Sequence, residues 1–347
     1  MKEARLYEKL TENRVRCYLC AHRCTIAEGS RGICQARENR HGVLYSLVYG
    51  QSISQAIDPI EKKPLFHFYP GSSTYSFATT GCNFRCEFCQ NWQISQVSAD
   101  EFRLVDHASS PDYLAKAAHH HGCRSIAYTY TEPTIFFEYA YDTAVIAQSY
   151  GVKNIYVTNG YMTTEMLDAF GPYLHAANVD LKSFRDEFYR KVCGARLQPV
   201  LDSIRYMKKK GIWIEITTLI VPGHNDSEDE LREMATFLAQ EVGVETPWHV
   251  SRFHPDYQML DAVATPVTTL ERAREIGLEA GLRYVYEGNV VKSEGENTYC
   301  YNCHRLLIRR LGFGVRQNVI QPGSKCPQCG TVVDGVGMAP PLGKHLL

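Results

Sequence analysis

The chain has 347 residues, of which 44% are hydrophobic, and a formal net charge of -1. This length can bury a large core, and the near-neutral charge argues against nucleic acid as a partner. No apolar run approaches the roughly 20 residues that cross a bilayer, and the charged start MKEARLYEKLTENR is unlike a signal peptide, so we expect a cytoplasmic protein that binds no membrane. Its thirteen cysteines indicate metal ligands in a reducing compartment. Cys123 and Cys193 stand outside the three cysteine groups. We expect each to be a buried small hydrophobic residue.

The first cysteine group lies near the N-terminus. Cys17, Cys20, Cys24 and Cys34 follow the spacing C-x2-C-x3-C-x9-C, so four thiolates are available to close a metal site. Full thiolate ligation suits zinc and also an iron–sulfur cluster. We interpret this group as a zinc site, with an auxiliary iron–sulfur cluster as the open alternative.

The second group sets Cys82, Cys86 and Cys89 at C-x3-C-x2-C spacing in a short loop after a predicted strand. A four-iron cluster usually has four thiolate ligands, so a loop with only three leaves one iron free to bind an exogenous ligand. The alternatives are a zinc knuckle with a distant fourth ligand, and buried thiols that pack as small hydrophobes. The specific spacing favours the cluster.

The centre of the chain alternates apolar strand patterns with helical patterns, which indicates β–α units in a parallel sheet. Predicted strands cover 75–78, 125–129, 154–158, 176–181, 213–221, 248–252 and 283–286, and predicted helices cover 111–120, 134–149, 163–170, 201–210, 227–241 and 268–280. Six or seven units fall short of eight, so we predict an α/β fold with a partial (β/α)6 barrel. Chemistry in barrels lies at the carboxyl ends of the strands.

Polar residues follow three of these strands. Glu132 comes after the second strand, and Thr158 and Asn159 come at the end of the third. Asp180 and Lys182 are two residues apart, so on a strand they project to one face. Opposite charges are tolerated inside a barrel when they pair with each other or with a charged ligand. The alternatives are a helix N-terminal acid for Glu132, a turn for Asn159, and a surface ion pair.

The third cysteine group consists of Cys300, Cys303, Cys326 and Cys329, two C-x2-C pairs separated by 22 residues. Two such turns complete a closed tetrahedral zinc site, a zinc ribbon, which stabilises a segment too short for a core of its own. An iron centre is the alternative. The predicted segments are an N-terminal cysteine-rich extension at 1–74, the barrel at 75–290, and the zinc ribbon with the C-terminal tail at 291–347.

The central triplet, with the aromatic Phe88 before its third cysteine, resembles the signature of the radical SAM superfamily. This resemblance implies a 4Fe-4S cluster whose open iron is chelated by S-adenosylmethionine. It also implies a reductant, such as flavodoxin or ferredoxin, whose electron leads to cleavage into a 5′-deoxyadenosyl radical. The side chains that it implies at the cofactor are Phe88, Glu132, Thr158, Asn159, Asp180, Lys182, Val221 and His254.

Several of these roles are specific. The resemblance implies that Glu132 holds the amino group of S-adenosylmethionine, although the two glycines of the family's Gly-Gly-Glu motif are absent here. Asp180 and Lys182 match the D-L-K motif of glycyl-radical-enzyme activases, and His254 matches in position a histidine of the same enzymes. We expect Asp180, Lys182 and His254 to be catalytic. His249, within a strand, is expected to be a core histidine.

Further segments extend the resemblance over most of the chain: RENRHGVLYSLVYGQ, KKPLFHFYPGS, VDLKSF, FYRKVCGA and LIVPGHND. They are similar to the radical SAM component of the AmmeMemoRadiSam system, a branch close to pyruvate formate-lyase activating enzymes. The resemblance implies Memo-type and Ammecr-type partner proteins. We expect hydrogen abstraction from a protein substrate; the alternatives are the same chemistry on a small metabolite, and a non-enzymatic metal-bound scaffold.

Overall fold

The structure, a computed structural model, describes residues 1–98, 102, 108–290 and 294–340. The strands within these residues are β1 Lys2–Glu3, β2 Tyr7–Lys9, β3 Val15–Cys17, β4 Thr25–Ile26, β5 Arg37–Arg40, β6 Val43–Ser46, β7 Ser54–Pro59, β8 Ser73–Ala78, β9 Ser125–Tyr128, β10 Lys153–Thr158, β11 Ala176–Asp180, β12 Trp213–Ile220, β13 Trp248–Arg252, β14 Val285–Gly288, β15 Thr298–Tyr299, β16 Leu306–Leu311 and β17 Gly314–Asn318. The α-helices are α1 Trp92–Ser95, α2 Pro111–His120, α3 Phe137–Ser149, α4 Thr164–Phe170, α5 Asp186–Phe188, α6 Leu197–Lys209, α7 Glu228–Phe237 and α8 Val267–Glu279.

One sheet contains the eight strands from β7 to β14 in sequential order. Strands β8 to β14 pair in parallel, and β7 pairs antiparallel with β8. No pairing joins β7 to β14 within the described ranges, so the sheet stays open. The predicted partial barrel is therefore confirmed, and each predicted strand overlaps an observed one. Strand β7 was not predicted, because only one of its six residues is buried and its apolar pattern is weak.

The parallel strands are covered by helices, so their side chains are buried on both faces. Every residue of β9 is buried, as are four of the five residues of β11. Serine side chains cap two of the helices: the Ser227 hydroxyl accepts from the backbone N–H of Glu230, and the Ser110 hydroxyl accepts from that of Tyr113. Two π-helical segments, Tyr189–Cys193 and Leu238–Gly243, continue α5 and α7.

Three small antiparallel sheets flank the barrel. Two lie near the N-terminus, with strand orders β1-β6-β5 and β2-β3-β4, and the third, β15-β16-β17, lies near the C-terminus. Residues 291–293 and 341–347 of the predicted C-terminal segment lie outside the described residues. None of the helices in the described part of the chain has the length and apolar character needed to span a membrane.

A buried hydrogen-bond network joins the loop before β8 to the amino ends of the parallel strands. The Glu215 carboxylate accepts from the backbone N–H groups of Phe66 (2.9 Å) and His67 (2.8 Å), and from the indole N–H of Trp213 (3.1 Å). It also pairs with Nε2 of His249 at 2.8 Å. His249 is thus a buried, hydrogen-bonded core histidine, as expected. The network lies at the opposite end of the sheet from the predicted chemistry.

Arg310 on β16 attaches the C-terminal sheet to the same end of the barrel. Its guanidinium is buried, donates to the Phe66 carbonyl at 2.9 Å, and lies 4.2 Å from the centre of the Phe66 ring. A second contact goes to the Thr298 hydroxyl at 2.8 Å. The C-terminal segment is therefore packed against the barrel through a buried charged side chain, and not only through its cysteines.

Replacement of Glu215 by Gln should destabilise the fold. The substitution keeps the shape but turns one acceptor into an N–H2 group among four donors, which leaves buried donors unsatisfied. We expect a loss of about 2–4 kcal/mol in the free energy of unfolding, measured by urea denaturation of the anaerobic protein. Glu233→Gln, at an exposed carboxylate paired with Arg185, is the control and should change stability by less than about 0.5 kcal/mol. Equal stabilities of the two variants would contradict this role of Glu215.

Candidate active site

The loop between β8 and α1 carries Cys82, Cys86 and Cys89 at the carboxyl edge of the parallel sheet. Cys86 is buried, and the other two are half-buried. The backbone N–H of Phe84 donates to the Cys82 sulfur at 3.4 Å, and the hydroxyl of Ser95 lies 3.1 Å from the Cys89 sulfur. The triplet thus lies at the sheet edge where barrel chemistry is expected.

The three thiols do not have the spacing of a single-ion site. Within the described ranges, only the C-terminal cysteines form a group whose donor atoms all lie within 4.8 Å of one another, so these three sulfurs do not. Zn–S bonds of about 2.3 Å place tetrahedral thiolates about 3.8 Å apart, whereas each thiolate of a four-iron cluster binds a different iron. Burial and the nearby Glu132 carboxylate raise the pKa of Cys82, so its thiolate requires a compensating positive charge. The donor set fits an iron–sulfur cluster.

Cys193 lies beside the triplet. A hydrogen bond with the Cys193 thiol, together with burial, raises the pKa of Cys86. Cys193 ends the π-helical segment Tyr189–Cys193. Two backbone hydrogen bonds join the cysteine loop to this segment, from Arg85 N–H to Cys193 O (2.8 Å) and from Glu87 N–H to Val192 O (3.1 Å). Cys193 is buried, as predicted, but its contact with Cys86 was missed because the two are far apart in the sequence.

The Glu132 carboxylate is buried and accepts several hydrogen bonds. It accepts from the Thr158 hydroxyl at 2.7 Å, from Asn159 N–H at 2.8 Å and from Thr134 N–H at 3.0 Å. The last contact caps a 3-10 helix, Pro133–Phe136, which matches the alternative interpretation of Glu132 as a helix N-terminal acid. Burial raises the pKa of Glu132, while these hydrogen bonds oppose the rise. The network brings together three of the predicted cofactor residues.

Asn159 links that network to the cysteine loop. Its side-chain N–H2 donates to the side-chain oxygen of Asn83 at 2.7 Å and lies 3.9 Å from the Cys82 sulfur. The backbone N–H of Tyr161 donates to the Asn159 side-chain oxygen at 3.0 Å, which fixes the amide orientation. An amide donor directed at a ligand sulfur is a common means of tuning an iron–sulfur cluster.

Asp180 and Lys182 form the predicted ion pair, with Nζ 2.9 Å from the carboxylate. The Lys182 side chain is largely buried, and its ammonium lies 5.6 Å from the centre of the Phe88 ring. Burial lowers the pKa of Lys182, but the nearby negative charges, with Asp180 first, outweigh it and raise the pKa overall. The pair therefore lies at the cysteine loop rather than on the outer surface, and Lys182 remains charged.

Val221 and His254 occupy different environments. Val221 is fully buried at the end of β12, and its backbone N–H donates to the Asn225 side chain at 2.6 Å. His254 is exposed and lines an open cavity together with Gln90, which directly follows Cys89. The tip of the β16–β17 hairpin adds Phe313 to the same cavity, a contribution from the C-terminal segment that sequence analysis missed.

The C-terminal cysteines form a compact four-sulfur site. Cys300 and Cys329 have their sulfurs 3.6 Å apart, and those of Cys303 and Cys326 are 3.7 Å apart. All four sulfurs lie within 4.8 Å of one another. These separations match the edges of a tetrahedron around a single thiolate-bound ion.

The N-terminal cysteines line one small cavity. Cys17, Cys20, Cys24 and Cys34 all contribute to its wall, together with Asn83 from the central cysteine loop. The N-terminal cysteines and the central cysteine loop, which are distant in the sequence, therefore meet at the carboxyl edge of the barrel. The N-terminal group lies beside the central triplet, whereas the C-terminal group does not share this cavity.

Several known proteins are similar to this chain in sequence. Residues 77–238 match the family model of the radical SAM superfamily. An uncharacterized protein of Methanocaldococcus jannaschii is 50% identical over 96% of this chain and 99% of the relative. The pyruvate formate-lyase 1-activating enzyme of Escherichia coli is 21% identical over 59% of this chain and 89% of the enzyme.

Among solved structures, a radical SAM methyltransferase from Sphaerobacter thermophilus has a similar fold, with a TM-score of 0.50 and 16% sequence identity. The similarity covers 64% of this chain and 68% of that one. The cysteine loop, the parallel sheet and the sequence matches agree. Residues 77–238 of this chain form a radical SAM domain.

Proposed function

We propose that this protein binds a 4Fe-4S cluster through Cys82, Cys86 and Cys89, binds S-adenosylmethionine beside it, and abstracts a hydrogen atom from a protein substrate. The observation that supports the proposal is a partly buried triplet of thiols, not drawn together as a single-ion site, with polar side chains around it at one sheet edge. When bound and reduced, the cluster with S-adenosylmethionine on its open iron supplies a 5′-deoxyadenosyl radical. The protein supplies binding, orientation and the exclusion of water.

Each polar group has a proposed part in binding. Glu132 accepts from the ammonium of S-adenosylmethionine, a charge-assisted contact for a buried carboxylate. Thr158 and Asn159 face its carboxylate or ribose. Asp180 and Lys182 form a polar wall, an ion pair of 2.9 Å, next to the proposed cofactor site. Because these groups already hydrogen-bond to one another, the site is organised before the cofactor binds.

Phe88 and Val221 form the proposed apolar wall beside the adenine. Phe88 packs against Phe188 with ring centres 5.9 Å apart, and both Phe88 and Val221 are buried. Such a wall excludes water from a reactive radical. His254, at the open side, is proposed to contact the substrate.

The open cavity beside His254 and Gln90 supports a macromolecular substrate. The cavity lined by His254 has a volume of about 700 Å³ and is bordered by exposed apolar side chains, Leu311 at 46% and Phe313 at 49% exposure. Exposed apolar side chains beside a cavity often mark a protein-binding surface. The named relatives include activating enzymes, one of which acts on pyruvate formate-lyase. A protein substrate suits both observations.

A reductant, a zinc ion and partner proteins complete the proposal. A flavodoxin or ferredoxin serves as the reductant, and zinc occupies the compact C-terminal site of Cys300, Cys303, Cys326 and Cys329, which satisfies the distances of a single ion. The resemblance of several segments to the AmmeMemoRadiSam system supports Memo-type and Ammecr-type proteins as partners. One of them is then the first candidate for the protein substrate.

Cys86→Ala should abolish reductive cleavage of S-adenosylmethionine, because a buried ligand of the cluster is lost. The anaerobic protein is incubated with S-adenosylmethionine and dithionite, and 5′-deoxyadenosine is quantified by chromatography. The iron content should fall by about four atoms per chain. Cys123→Ala, at a buried cysteine outside the three groups, is the matched control and should retain both iron and product. Product formation by the Cys86 variant at the normal rate would refute the ligand assignment.

Lys182→Met should weaken the binding of S-adenosylmethionine while leaving the iron content unchanged. The variant keeps the length of the side chain but removes the charge and leaves Asp180 without its partner. Loss of a charged hydrogen bond corresponds to a roughly 10- to 100-fold higher Kd, measured by anaerobic equilibrium dialysis. Lys191→Met, at a side chain with 73% exposure, should leave the Kd unchanged. An unaltered Kd for the Lys182 variant would remove Lys182 from the cofactor site.

The kind of substrate can be tested with cell extract separated by ultrafiltration into macromolecular and small-molecule fractions. We expect the macromolecular fraction to stimulate 5′-deoxyadenosine formation. Phe313→Ala should lower the stimulated rate roughly fivefold or more, since buried aromatic contacts dominate protein interfaces, and should not affect the unstimulated rate. Val332→Ala, at an equally exposed side chain of the same segment, is the control. Stimulation by the small-molecule fraction alone would instead favour a metabolite substrate.

A further inference from the structure

We propose that Cys17, Cys20, Cys24 and Cys34 hold a second four-iron cluster and not a zinc ion. All four side chains line one small cavity. Cys17 and Cys34 are buried, and the other two are half-buried. The group is held by the β3–β4 hairpin, in which Cys17 N–H donates to the Cys24 carbonyl at 2.9 Å.

The separation of the sulfurs distinguishes the two kinds of site within this one chain. The C-terminal cysteines meet the geometry of a single ion, with all sulfurs within 4.8 Å of one another. Within the described residues, no three of the N-terminal sulfurs meet that condition, although all four face the same cavity. A single zinc ion needs its thiolate sulfurs to lie about 3.8 Å from one another. A four-iron cluster places a different iron under each thiolate and so spans a wider set.

The cavity also presents hydrogen-bond donors that have no protein acceptor. Arg37 lines it and is 1% exposed; one of its guanidinium nitrogens binds the Glu138 carboxylate, whereas its Nε and Nη1 have no partner in the part of the chain that the structure describes. The side-chain nitrogen of Asn83, also in the wall, is likewise unpartnered there. Buried orphan donors of this kind require an explanation. The bridging sulfides and thiolates of an anionic cluster are suitable acceptors.

Gly32 keeps space open beside two of the ligands. A Cβ at this position would lie 3.9 Å from the sulfurs of both Cys24 and Cys34, and 3.3 Å from Cδ1 of Ile26. A side chain there would occupy the volume between the two sulfurs and the apolar wall. The glycine therefore leaves the space beside these two sulfurs free for an inorganic group.

The proposed cluster adjoins the central cysteine loop. Nε2 of His22 lies 2.7 Å from the Asn83 carbonyl, and Asn83 follows Cys82 directly. On the other side of Cys82, a Cβ at Gly81 would lie 2.5 Å from the Cys34 carbonyl oxygen. Only glycine permits this approach, and the two metal sites are consequently neighbours. This proposal does not depend on the proposed reaction or on its substrate.

The test uses full-length protein purified anaerobically without added metals. In the variant Cys82→Ser/Cys86→Ser/Cys89→Ser, the central cluster is lost, and we expect about four irons and about one zinc per chain by elemental analysis. Its dithionite-reduced EPR spectrum should show a four-iron cluster that S-adenosylmethionine does not change. About two zinc ions and no iron in this variant would overturn the proposal, as would a residual of about two irons.

The reciprocal variant, Cys20→Ser/Cys24→Ser, should lose that iron and keep an EPR signal that responds to S-adenosylmethionine. The wild-type protein, with Cys123→Ser as the matched control, should contain about eight irons, and this total tests the proposal even if a variant fails to fold. A wild-type content of about four irons with two zinc ions would again overturn it. Loss of S-adenosylmethionine cleavage with eight irons present would count against the proposed function only.

Discussion

The cost of burying thiolates constrains the arrangement of this molecule. Three cysteines of the 82–89 loop lie in or near the core, where burial and nearby negative charge disfavour their ionised form. A metal centre removes that cost because its positive charge accompanies the thiolates. The loop, its contact with Cys193 and the amide of Asn159 therefore make physical sense as the surroundings of a cluster.

The two edges of the open parallel sheet carry different groups of buried polar residues. The carboxyl edge collects Glu132, Asn159 and Lys182, residues that follow strands at different positions in the chain, because parallel strands all end on that side. The amino edge carries the Glu215 network, whose buried donors and acceptor hold the loop before β8. Polar residues are buried at both ends, but only those at the carboxyl edge surround the cysteine loop.

Regular local patterns made the barrel predictable, since apolar strands alternating with capped helices specify β–α units without reference to tertiary contacts. The pairing of Asp180 with Lys182 was expected from two residues that share one face of a strand; the pair does form, although β11 ends at Asp180 and Lys182 lies just beyond it. Contacts between distant segments were not. Nothing in the sequence near Cys193 indicates that it meets Cys86, and nothing in the β16–β17 hairpin indicates that Phe313 reaches the cavity of His254. Strand β7 escaped notice because an edge strand with exposed side chains lacks a clear hydrophobic period.

The two cysteine-rich appendages contact the barrel at sites that matter for the proposed chemistry. The N-terminal cavity includes Asn83 of the central loop, so the cluster proposed there would lie beside that residue, which in turn accepts a hydrogen bond from Asn159. The C-terminal segment contacts the amino end of the barrel through Arg310. Its β16–β17 hairpin also lines the cavity that contains His254, which follows β13 at the carboxyl end. A segment anchored at one end of the barrel and lining the cavity at the other is well placed to select the substrate. In the proposed reaction, the barrel supplies the cysteine triplet and the polar residues beside it, and the appendages supply walls of the two neighbouring cavities.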